Sequence, residues 1–600
     1  MKIDPKNIRN TLSKTFGVVD VSYLRKWIVI SILIGVIAGV GSILFYLAID
    51  GVTWLMLGQG AGYTPPVPGG EGVTIFTPIS RRWMIPIVCT LGGLVSGLLV
   101  FKLAPEAEGH GTDAAINSFH NKDGFIRRRV PLVKLVASAI TIGSGGSAGR
   151  EGPVALIGAG FGSTIADIFK LDSRDRRLAL AVGIGAGIGS IFKAPLGGAL
   201  ISAEILYRRD FEFEALLPSF IASIVGYSVY ASWSGWTPIF SINTGFTFSH
   251  PGQLLGFAIL GVVCGLFGML YGRTFYFIRD RFRVLKLPNY VKPAVGGLIV
   301  GTIGVFLPQI LGMCYGWVQF ALDGNTAVLP LGIMVAVLFG KIVATGLSVG
   351  SGGSGGVFAP GLVIGGMAGG ATWSLLHNFT SLVPADPASF VVLGMMTLFG
   401  GIAKAPLAIM IMVSEMTGNY SLLVPSMVSI VIAYFLTGNS YIYEKQVDTR
   451  ADSPAHRAEY TVPLLDKIHI ADAMVTNPMI VSPETYLSDL ANLMKSKGAD
   501  AAPVLDSGRL VGMVTTRDMA RVSEDKWSKT LVREVMSKRV IVGYSRETLS
   551  EALNRMAKNN ISHLPVVDQD YPDKLIGLLS VAKIVLTYDL QKKTISAGKE

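Results

Sequence analysis

GSGGSAGREGP at residues 143–153 returns in altered form as GSGGSGGVFAP at residues 350–360, and both stretches interrupt long apolar runs. Because glycine favours non-helical backbone, each stretch leaves backbone N–H groups without intrahelical partners, and a lipid bilayer offers no water to satisfy them. Each stretch ends in a proline, Pro153 or Pro360, which opens an apolar run and so predicts the first turn of a helix. The repeat therefore predicts two helix N-termini that line a protected cavity, and helix N-termini attract anions.

The composition indicates an integral membrane protein. Of 600 residues, 50% are hydrophobic and only 16% are charged, and the mean hydropathy is +0.50. A helix needs about 20 apolar residues to cross a bilayer. Runs that approach this length lie at 27–49, 83–101, 252–271, 296–309 and 421–443. This balance excludes an ordinary soluble enzyme, and no nucleophile–base pair accompanies the motifs, so no enzymatic activity is predicted.

The formal charge of +11 suggests a membrane topology signal rather than nucleic-acid binding. The basic clusters separate the hydrophobic runs; they lie at 127–129, 176–177, 208–209 and 279–283. Residues 1–26 are basic and carry no cleavable signal pattern, which predicts that the N-terminus lies in the cytoplasm. The protein itself is predicted to lie in the cell membrane.

Two soluble-protein interpretations of the motifs are weaker. A phosphate-binding loop would need Lys-Ser or Lys-Thr after the glycines, and neither follows residues 143–151. The three cysteines, Cys89, Cys264 and Cys314, lie far apart within apolar runs. Their spacing predicts neither a disulfide framework nor a metal site.

The repeat extends beyond the glycine-rich stretches. Glu151 and Phe358 are 207 residues apart, as are the two prolines that follow them. Downstream, an Ala-Pro-Leu segment precedes Glu204 and another precedes Glu415, with the same spacing in each. Duplicated halves with broken helices and a site at their interface are typical of transporters.

These segments together resemble the CLC family of chloride channels and chloride/proton antiporters, over roughly residues 21–443. The resemblance implies an all-α polytopic membrane protein of two inverted repeats with broken, re-entrant helices. It also implies a homodimer in which each subunit has its own pathway for chloride and similar small anions. Within that pathway Glu151 resembles the gating glutamate, Phe358 a backbone anion ligand, and Tyr443 the tyrosine that closes the inner end.

The chemistry of the residues agrees with those roles. An ionised carboxylate at Glu151 can enter the same group of amides as chloride, and a protonated one can leave it, so the residue can gate and carry protons. The alternative for Glu151 is a capping carboxylate paired with Arg150. The alternative for Tyr443 is an interfacial anchor. The predicted anion-binding residues are Gly109, His110, Gly111, Arg150, Gly152, Gly356, Val357, Phe358, Ala359 and Tyr443.

His110 departs from the family pattern. The family commonly carries Gly-Ser-Gly-Ile-Pro where this chain has Gly-His-Gly-Thr-Asp at 109–113, and the serine hydroxyl coordinates the anion. The His110 side chain can donate N–H to the anion and introduce pH dependence, or it can point away and leave Gly109 and Gly111 as backbone donors. For Asp113 we predict a local capping role at the start of a helix.

Ile205 is the second departure. In well-known antiporters the glutamate at the position of Glu204 is followed by a second glutamate that passes protons inward, whereas Ile205 follows here. Glu204 and Glu415 are predicted to be structural, each accepting hydrogen bonds from backbone amides. We therefore predict an anion channel gated by Glu151. The alternative is a chloride/proton antiporter, and a carrier of another ion is a remote third.

The composition changes after Tyr443, where a polar run precedes a second duplicated module. Its copies resemble tandem CBS domains, which often bind ATP, ADP or AMP in the cleft between copies. Each copy is predicted as strand, helix, strand, strand, helix, with helices at 487–496 and 549–558. Thr515 and Asp518 match the family's ribose- and phosphate-binding element, whereas the second copy has Ser580 and Lys583. The alternative is a coupling module with an empty cleft.

The sequence thus predicts six segments. They are a cytoplasmic segment at 1–26, the transmembrane domain at 27–443, a linker at 444–464, a first CBS domain at 465–524, a second at 528–590 and a disordered tail at 591–600. We expect the C-terminal module to lie in the cytoplasm with the N-terminus. No cofactor is required for the transmembrane domain.

Overall fold

The structure is a computed structural model that describes residues 21–242, 250–378, 383–456 and 464–597. The chain forms two compact units, one ending at Ala455 and the other beginning at His456. Residues 1–20 of the predicted N-terminal segment and residues 457–463 of the predicted linker lie outside the described residues.

The first unit is helical. Its helices are α1 Val21–Thr53, α2 Met84–Leu103, α3 Thr112–Asn121, α4 Arg129–Gly143, α5 Glu151–Ile168, α6 Ser173–Ile191, α7 Pro195–Glu204, α8 Phe213–Ser234, α9 Gln253–Val284, α10 Lys292–Phe306, α11 Tyr315–Leu322, α12 Leu331–Thr345, α13 Phe358–Leu376, α14 Ala388–Ala403, α15 Pro406–Thr417 and α16 Leu423–Thr437. A continuous apolar core runs through both the earlier and the later helices.

Many of these helices are shorter than a bilayer is thick, as expected for a protein of broken helices. Among the described residues, five helical spans have the length and composition to cross a membrane: Arg25–Ala61, Met84–Leu103, Phe213–Ser234, Gln253–Val284 and Leu331–Gly350. The predicted runs at 296–309 and 421–443 instead overlap α10 and α16, which are shorter apolar helices. Sequence analysis missed the spans of α8 and α12. Pro218 and several serines lie among the apolar residues of α8, and Lys341 interrupts those of α12.

The helices α1 to α8 recur in the same order as α9 to α16, which confirms the predicted duplication. The helices α5 and α13 both start two residues before the proline of their glycine-rich stretch. Left-handed backbone also recurs at matched places, with φ of +99° at Gly145 and +104° at Gly352. Lys193 and Lys404 form another such pair, at +51° and +56°.

An approximate two-fold relation between the halves is visible in their reciprocal contacts. Gly149 and Gly356, which are equivalent in the repeat, form an antiparallel bridge with each other. The Ser138 hydroxyl lies 2.9 Å from that of Ser354, and the equivalent Thr345 and Ser147 hydroxyls lie 3.0 Å apart. Reciprocal contacts of this kind between equivalent residues are what an approximate two-fold axis between the halves produces.

Glu204 and Glu415 accept backbone hydrogen bonds at helix starts, as predicted, and each does so across the repeat. Glu204 at the end of α7 accepts from Leu407 N at 3.2 Å and Ala408 N at 2.6 Å in α15. Glu415 near the end of α15 accepts from Leu196 N at 3.1 Å and from Gly197 N at 2.7 Å in α7. Each carboxylate therefore satisfies N–H groups that the first turn of the other helix leaves free.

The second unit contains two similar α/β copies. Its elements are α17 Ile470–Ala473, α18 Leu487–Lys497, β1 Ala501–Asp506, β2 Arg509–Thr515, α19 Thr516–Met519, α20 Val532–Val535, β3 Gly543–Tyr544, α21 Leu549–Lys558, β4 His563–Val567, β5 Leu575–Ser580 and α22 Val581–Ala597. The strands β1 and β2 pair antiparallel, and β4 lies between β3 and β5. The predicted helices at 487–496 and 549–558 are confirmed as α18 and α21.

The short helix that precedes each copy in the sequence packs into the core of the other copy. Leu465 and Ile470 pack into the core formed by α21, β4 and β5. Val532 of α20 packs into the core formed by α18, β1 and β2. The two copies are thus interlocked. The predicted tail at 591–600 is wrong in part, because α22 continues to Ala597.

We predict that Glu415→Ala lowers the thermal stability of the protein in detergent. The substitution leaves the N–H groups of Leu196 and Gly197 without an acceptor. Gly197 is buried, and a buried donor without an acceptor costs about 1–3 kcal/mol. Glu415→Gln keeps one acceptor oxygen and should lose less. Equal melting temperatures for wild type and Glu415→Ala would contradict this assignment.

Candidate functional site

Segments from both halves meet around the two predicted helix starts. The antiparallel bridge joins them, with Gly149 N donating to Gly356 O at 2.8 Å and Gly356 N donating to Gly149 O at 2.7 Å. The loop before α3 pairs with the second stretch, since Gly109 N donates to Gly353 O at 3.0 Å. These backbone pairs bring residues 109–111, 149–152 and 356–359 to one place.

Two helix N-termini point into this meeting place. The first intrahelical bond of α5 is Val154 N to Arg150 O, and that of α13 is Gly361 N to Val357 O. The N–H groups that precede these bonds have no acceptor within their own helices. Those of Gly152, Phe358 and Ala359 are therefore the donors available for an anion.

Glycine is required where the segments approach most closely. A Cβ atom on Gly152 would lie 1.9 Å from the carbonyl oxygen of His110, and one on Gly356 would lie 2.8 Å from Glu151 Oε2. A Cβ on Gly111 would lie 2.7 Å from the carbonyl oxygen of Gly152. The backbone itself therefore forms the wall of the site, which we call the amide nest (residues 109–111, 149–152 and 356–359).

Glu151 is buried, and its carboxylate lies within the amide nest. The Tyr315 hydroxyl donates to Glu151 Oε1 at 2.8 Å, whereas Oε2 lacks a hydrogen-bond partner among the described residues. The backbone N–H groups of Glu151 itself and of Ala359 approach the carboxylate. The carboxylate therefore occupies space beside the donors that an anion would use.

The ring of Phe358 is engaged in packing, which leaves its backbone N–H as the group it can offer to the nest. The ring is buried between Phe192 and Phe399, with centroids 5.4 and 4.5 Å away. Val357, the residue before Phe358, is fixed by a hydrogen bond, since the Tyr271 hydroxyl donates to its carbonyl at 2.7 Å. This bond and the packed ring together fix the start of α13.

Arg150 is fully buried and directs its side chain away from the amide nest. Its guanidinium pairs with Glu71 at 2.5 Å and lies 5.7 Å from the ring centroids of Tyr46, Phe192 and Tyr315. The alternative that Glu151 pairs with Arg150 is wrong, because Glu71 takes that place. The sequence predicts that Arg150 binds the anion. Because its guanidinium pairs with Glu71, only its backbone N–H can still do so.

A cavity of about 90 Å³ lies beside this ion pair. Glu71 and Tyr315 line it, together with Asp50 of α1. Since Tyr315 also contacts Glu151, the cavity adjoins the Glu151 carboxylate, and we call this side of the nest the Glu71 end.

Tyr443 lies at the other side, which we call the Tyr443 end. It is buried, its hydroxyl is close to the side chain of Thr112, and its ring lies 5.5 Å from that of His110. His110 Nε2 lies 3.2 Å from Asp113 Oδ2, whereas Nδ1 is buried without a partner among the described residues. The structure thus brings Tyr443 and the His110 side chain together.

Two further predictions for this region need correction. Gly109 and Gly356 cannot offer N–H groups to an anion, because Gly353 O and Gly149 O accept them. Asp113 does not cap its own helix. It accepts from Glu444 N at 3.2 Å and Lys445 N at 3.0 Å, and so holds the segment that follows Tyr443.

A buried lysine from each half holds a loop of the site. Lys134 donates to Ala107 O at 3.0 Å and to Gly109 O at 2.6 Å. Lys341 makes the equivalent bonds, to Ile310 O at 3.0 Å and Gly312 O at 2.6 Å. The first bond fixes the loop that carries His110, and the second fixes the loop that carries Tyr315.

Sequence analysis missed Glu71, Thr112, Tyr271 and Tyr315. Glu71 lies in a long polar connection, and the tyrosines lie in apolar helices, where aromatic residues normally pack. The repeat holds a signal for Tyr315, because residues 312–315 correspond to residues 109–112, with φ of +72° at Gly109 and +68° at Gly312.

In the second unit, a cleft of about 470 Å³ includes Thr515 and Asp518 in its lining, whereas Ser580 and Lys583 do not line it. Asp518 Oδ2 accepts from the hydroxyl of Thr515 at 2.7 Å and from its backbone N at 3.0 Å. Arg517 and Arg539 also line the cleft. It thus combines a carboxylate with positive charge, the combination that suits a ribose and a phosphate.

Family models match both units. The voltage-gated chloride channel model matches residues 92–438, and the CBS domain model matches residues 470–525 and 532–588. The chain belongs to the voltage-gated chloride channel (CLC) family. It is therefore a membrane protein of anion transport with a pair of CBS domains, and the resemblance stated from its motifs is confirmed.

Individual relatives agree with this assignment. The uncharacterized protein MJ0305 of Methanocaldococcus jannaschii is 30% identical over 442 residues, covering 73% of this chain and 99% of that protein. The H(+)/Cl(-) exchange transporter ClcA of Yersinia pestis is 30% identical over 364 residues, covering 59% of this chain and 75% of ClcA. The solved structure of a slow cyanobacterial Cl⁻/H⁺ antiporter has a similar fold, with a TM-score of 0.61 at 24% identity over 70% of this chain and 96% of that one.

We predict that Glu71→Gln destabilises the protein strongly. It leaves the charge of Arg150 buried without its partner, and breaking a buried pair costs about 3–5 kcal/mol. Glu214→Gln is the matched control, because its partner Arg174 is 64% exposed and an exposed pair contributes at most about 1 kcal/mol. Thermal unfolding in detergent measures both variants, and similar shifts for the two would contradict the role of Glu71.

Proposed function

We propose that this CLC protein exchanges chloride or a similar small anion for protons across the membrane. In this proposal Glu151 is both the gate and the proton carrier, and no enzymatic activity is involved. The similarity to ClcA, which is named as an H(+)/Cl(-) exchange transporter, favours exchange over the passive channel predicted from Ile205.

The position of the Glu151 carboxylate is the observation that carries the proposal. It lies beside the N–H groups of two helix starts, where an anion would bind, and Tyr315 is its side-chain hydrogen-bond donor. A carboxylate competes with an anion for these donors only while it is ionised. Protonation therefore releases the donors, so arrival of a proton and entry of an anion are linked.

The free N–H groups would hold the anion in a definite order along the pathway. We assign Gly152 and Ala359 to the part of the site that Glu151 occupies. Phe358 and the Tyr443 hydroxyl would hold the anion on the other side of the carboxylate. Val357 contributes through the geometry of the helix start, because Tyr271 fixes its carbonyl.

A passive channel is the second candidate, and Ile205 is the observation that favours it. The residue is buried, and its carbonyl accepts from the Gln446 side chain at 3.0 Å. An isoleucine has no group to accept a proton. Exchange by this chain therefore needs another route for protons past α7.

The assembly and orientation complete the proposal. We propose a homodimer with one pathway in each subunit, as the family resemblance implies. The N-terminus, the CBS unit and the Tyr443 end would face the cytoplasm, since the basic clusters favour that side for the adjoining loops. The CBS cleft would bind ATP, ADP or AMP and regulate transport.

Reconstitution in liposomes tests the exchange directly. With a chloride gradient, no pH gradient and a controlled membrane potential, we expect uphill proton movement coupled to chloride flux. Glu151→Gln should abolish the proton movement, because the amide cannot take up or release a proton, while chloride flux persists. Glu106→Gln is the matched control, since Glu106 is 34% exposed and pairs with Arg127.

Each outcome has a clear meaning. Chloride flux without proton movement in the wild type would replace the exchanger with the channel. The absence of any anion flux in folded protein would overturn both functions.

We predict that ATP, ADP or AMP raises the melting temperature of the full-length protein and that Asp518→Ala reduces this shift. The carboxylate of Asp518 lines the cleft and can accept from ribose hydroxyls. Because Asp518 also holds Thr515, a second variant, Arg539→Ala, tests the cleft without breaking that bond. Lys583→Ala is the control. Equal shifts in all variants would contradict nucleotide binding in this cleft.

A further inference from the structure

His110 is one of several buried residues of the membrane unit that carry a polar side-chain atom without a hydrogen-bond partner among the described residues. Its side chain is only 6% exposed, and Nδ1 is buried without a hydrogen-bond partner among the described residues. Burying a polar nitrogen without a partner costs free energy. Such an atom at the Tyr443 end of an anion site indicates that its partner is the ligand.

The contact with Asp113 determines what Nδ1 can offer. An ionised carboxylate is only an acceptor, so Nε2, at 3.2 Å from Asp113 Oδ2, is favourable there only when it carries the hydrogen. The neutral ring then has a bare lone pair at Nδ1, which repels an anion. Only the imidazolium presents N–H at both nitrogens.

Asp113 is itself held in place. Its two oxygens accept from the backbone N–H groups of Glu444 and Lys445, at 3.2 and 3.0 Å. Glu444 in turn pairs with Arg279 of α9 at 2.5 Å. The carboxylate therefore cannot turn away from His110 without breaking the segment that positions Tyr443.

The surroundings of the imidazole contain charges of both signs. The ring lies beside Asp113, Phe275 and Tyr443. The other charged residues on the elements around it are Lys134 of α4, Glu151 of α5, Arg279 of α9, and Glu444 and Lys445 after α16. Lys134 is directed to the carbonyls of Ala107 and Gly109, and Arg279 to Glu444. Asp113 is the acid in direct contact with the ring.

We propose that His110 takes up a proton at Nδ1 together with the anion that binds at the Tyr443 end. The step is a simple protonation: a proton from water bonds to the Nδ1 lone pair, and the new N–H donates to the anion. It gives this chain a proton acceptor on the side where Ile205 provides none. The inference rests on the proposed function, since it takes the Tyr443 end of the nest to be part of the anion site.

The test separates His110 from Glu151, whose protonation also responds to anions. Chloride is added to full-length Glu151→Gln protein in weakly buffered, chloride-free detergent solution, while calorimetry follows binding and a pH indicator follows protons. We expect up to about one proton taken up per chloride bound. The apparent Kd should rise by up to about tenfold per pH unit once the imidazole is neutral.

Two further variants sharpen the result. Adding His110→Ser to Glu151→Gln supplies a hydroxyl donor that needs no proton, so chloride should bind without proton uptake and without pH dependence. Asp113→Asn can still accept from Lys445 N, but its amide can donate to Nε2, which allows a neutral ring to carry hydrogen at Nδ1. Binding should then persist with a reduced pH dependence, which a merely structural role of Asp113 would not produce.

His120→Gln is the matched control for loss of a buried histidine. Both of its ring nitrogens have partners, Ser453 Oγ at 2.8 Å and Leu206 O at 2.9 Å, so proton uptake should be unchanged. Chloride binding with no proton uptake in Glu151→Gln, or uptake that survives His110→Ser, would overturn the role of His110 and leave exchange standing. Failure of chloride to bind to wild type at any pH would instead contradict the proposed anion site.

Discussion

The antiparallel pairing of Gly149 with Gly356 is the constraint on which the membrane unit depends. It brings two helix starts together at a depth where neither has water to hydrogen-bond with. Both helices begin within two residues of this pair, so their free N–H groups converge on one volume. An anion, or the carboxylate of Glu151, is what such a volume can accommodate. The glycines, the prolines and the buried lysines all serve to keep it open.

Much of the fold could be predicted from sequence because the fold is repeated. The glycine-rich stretches, the Ala-Pro-Leu segments and the two glutamates each occur twice, so every match supported the others. The starts of α5 and α13 and the roles of Glu204 and Glu415 followed from that pattern. The CBS helices were equally accessible, since their apolar residues follow helical spacing.

The parts that could not be predicted depend on contacts between distant segments. Glu71 lies 79 residues before Arg150, and no pattern links them. Asp113 is at the start of a helix, where a local cap is the usual interpretation. Its carboxylate oxygens instead accept hydrogen bonds from Glu444 N and Lys445 N, which lie 331 and 332 residues further along the chain. The N–H groups of Gly109 and Gly356 looked available because their partners lie in other segments. Sequence analysis picked out segments that the structure brings together, but not which of their atoms already have hydrogen-bond partners.

The crossed carboxylates of Glu204 and Glu415 have a consequence for the synthesis of the chain. Each half contains a helix start that only the other half can complete, so neither half satisfies its own backbone. A ribosome that has made only the first half has therefore inserted an unfinished protein. Gly197 in α7 gains its acceptor only once the chain has been synthesised as far as Glu415, 218 residues later.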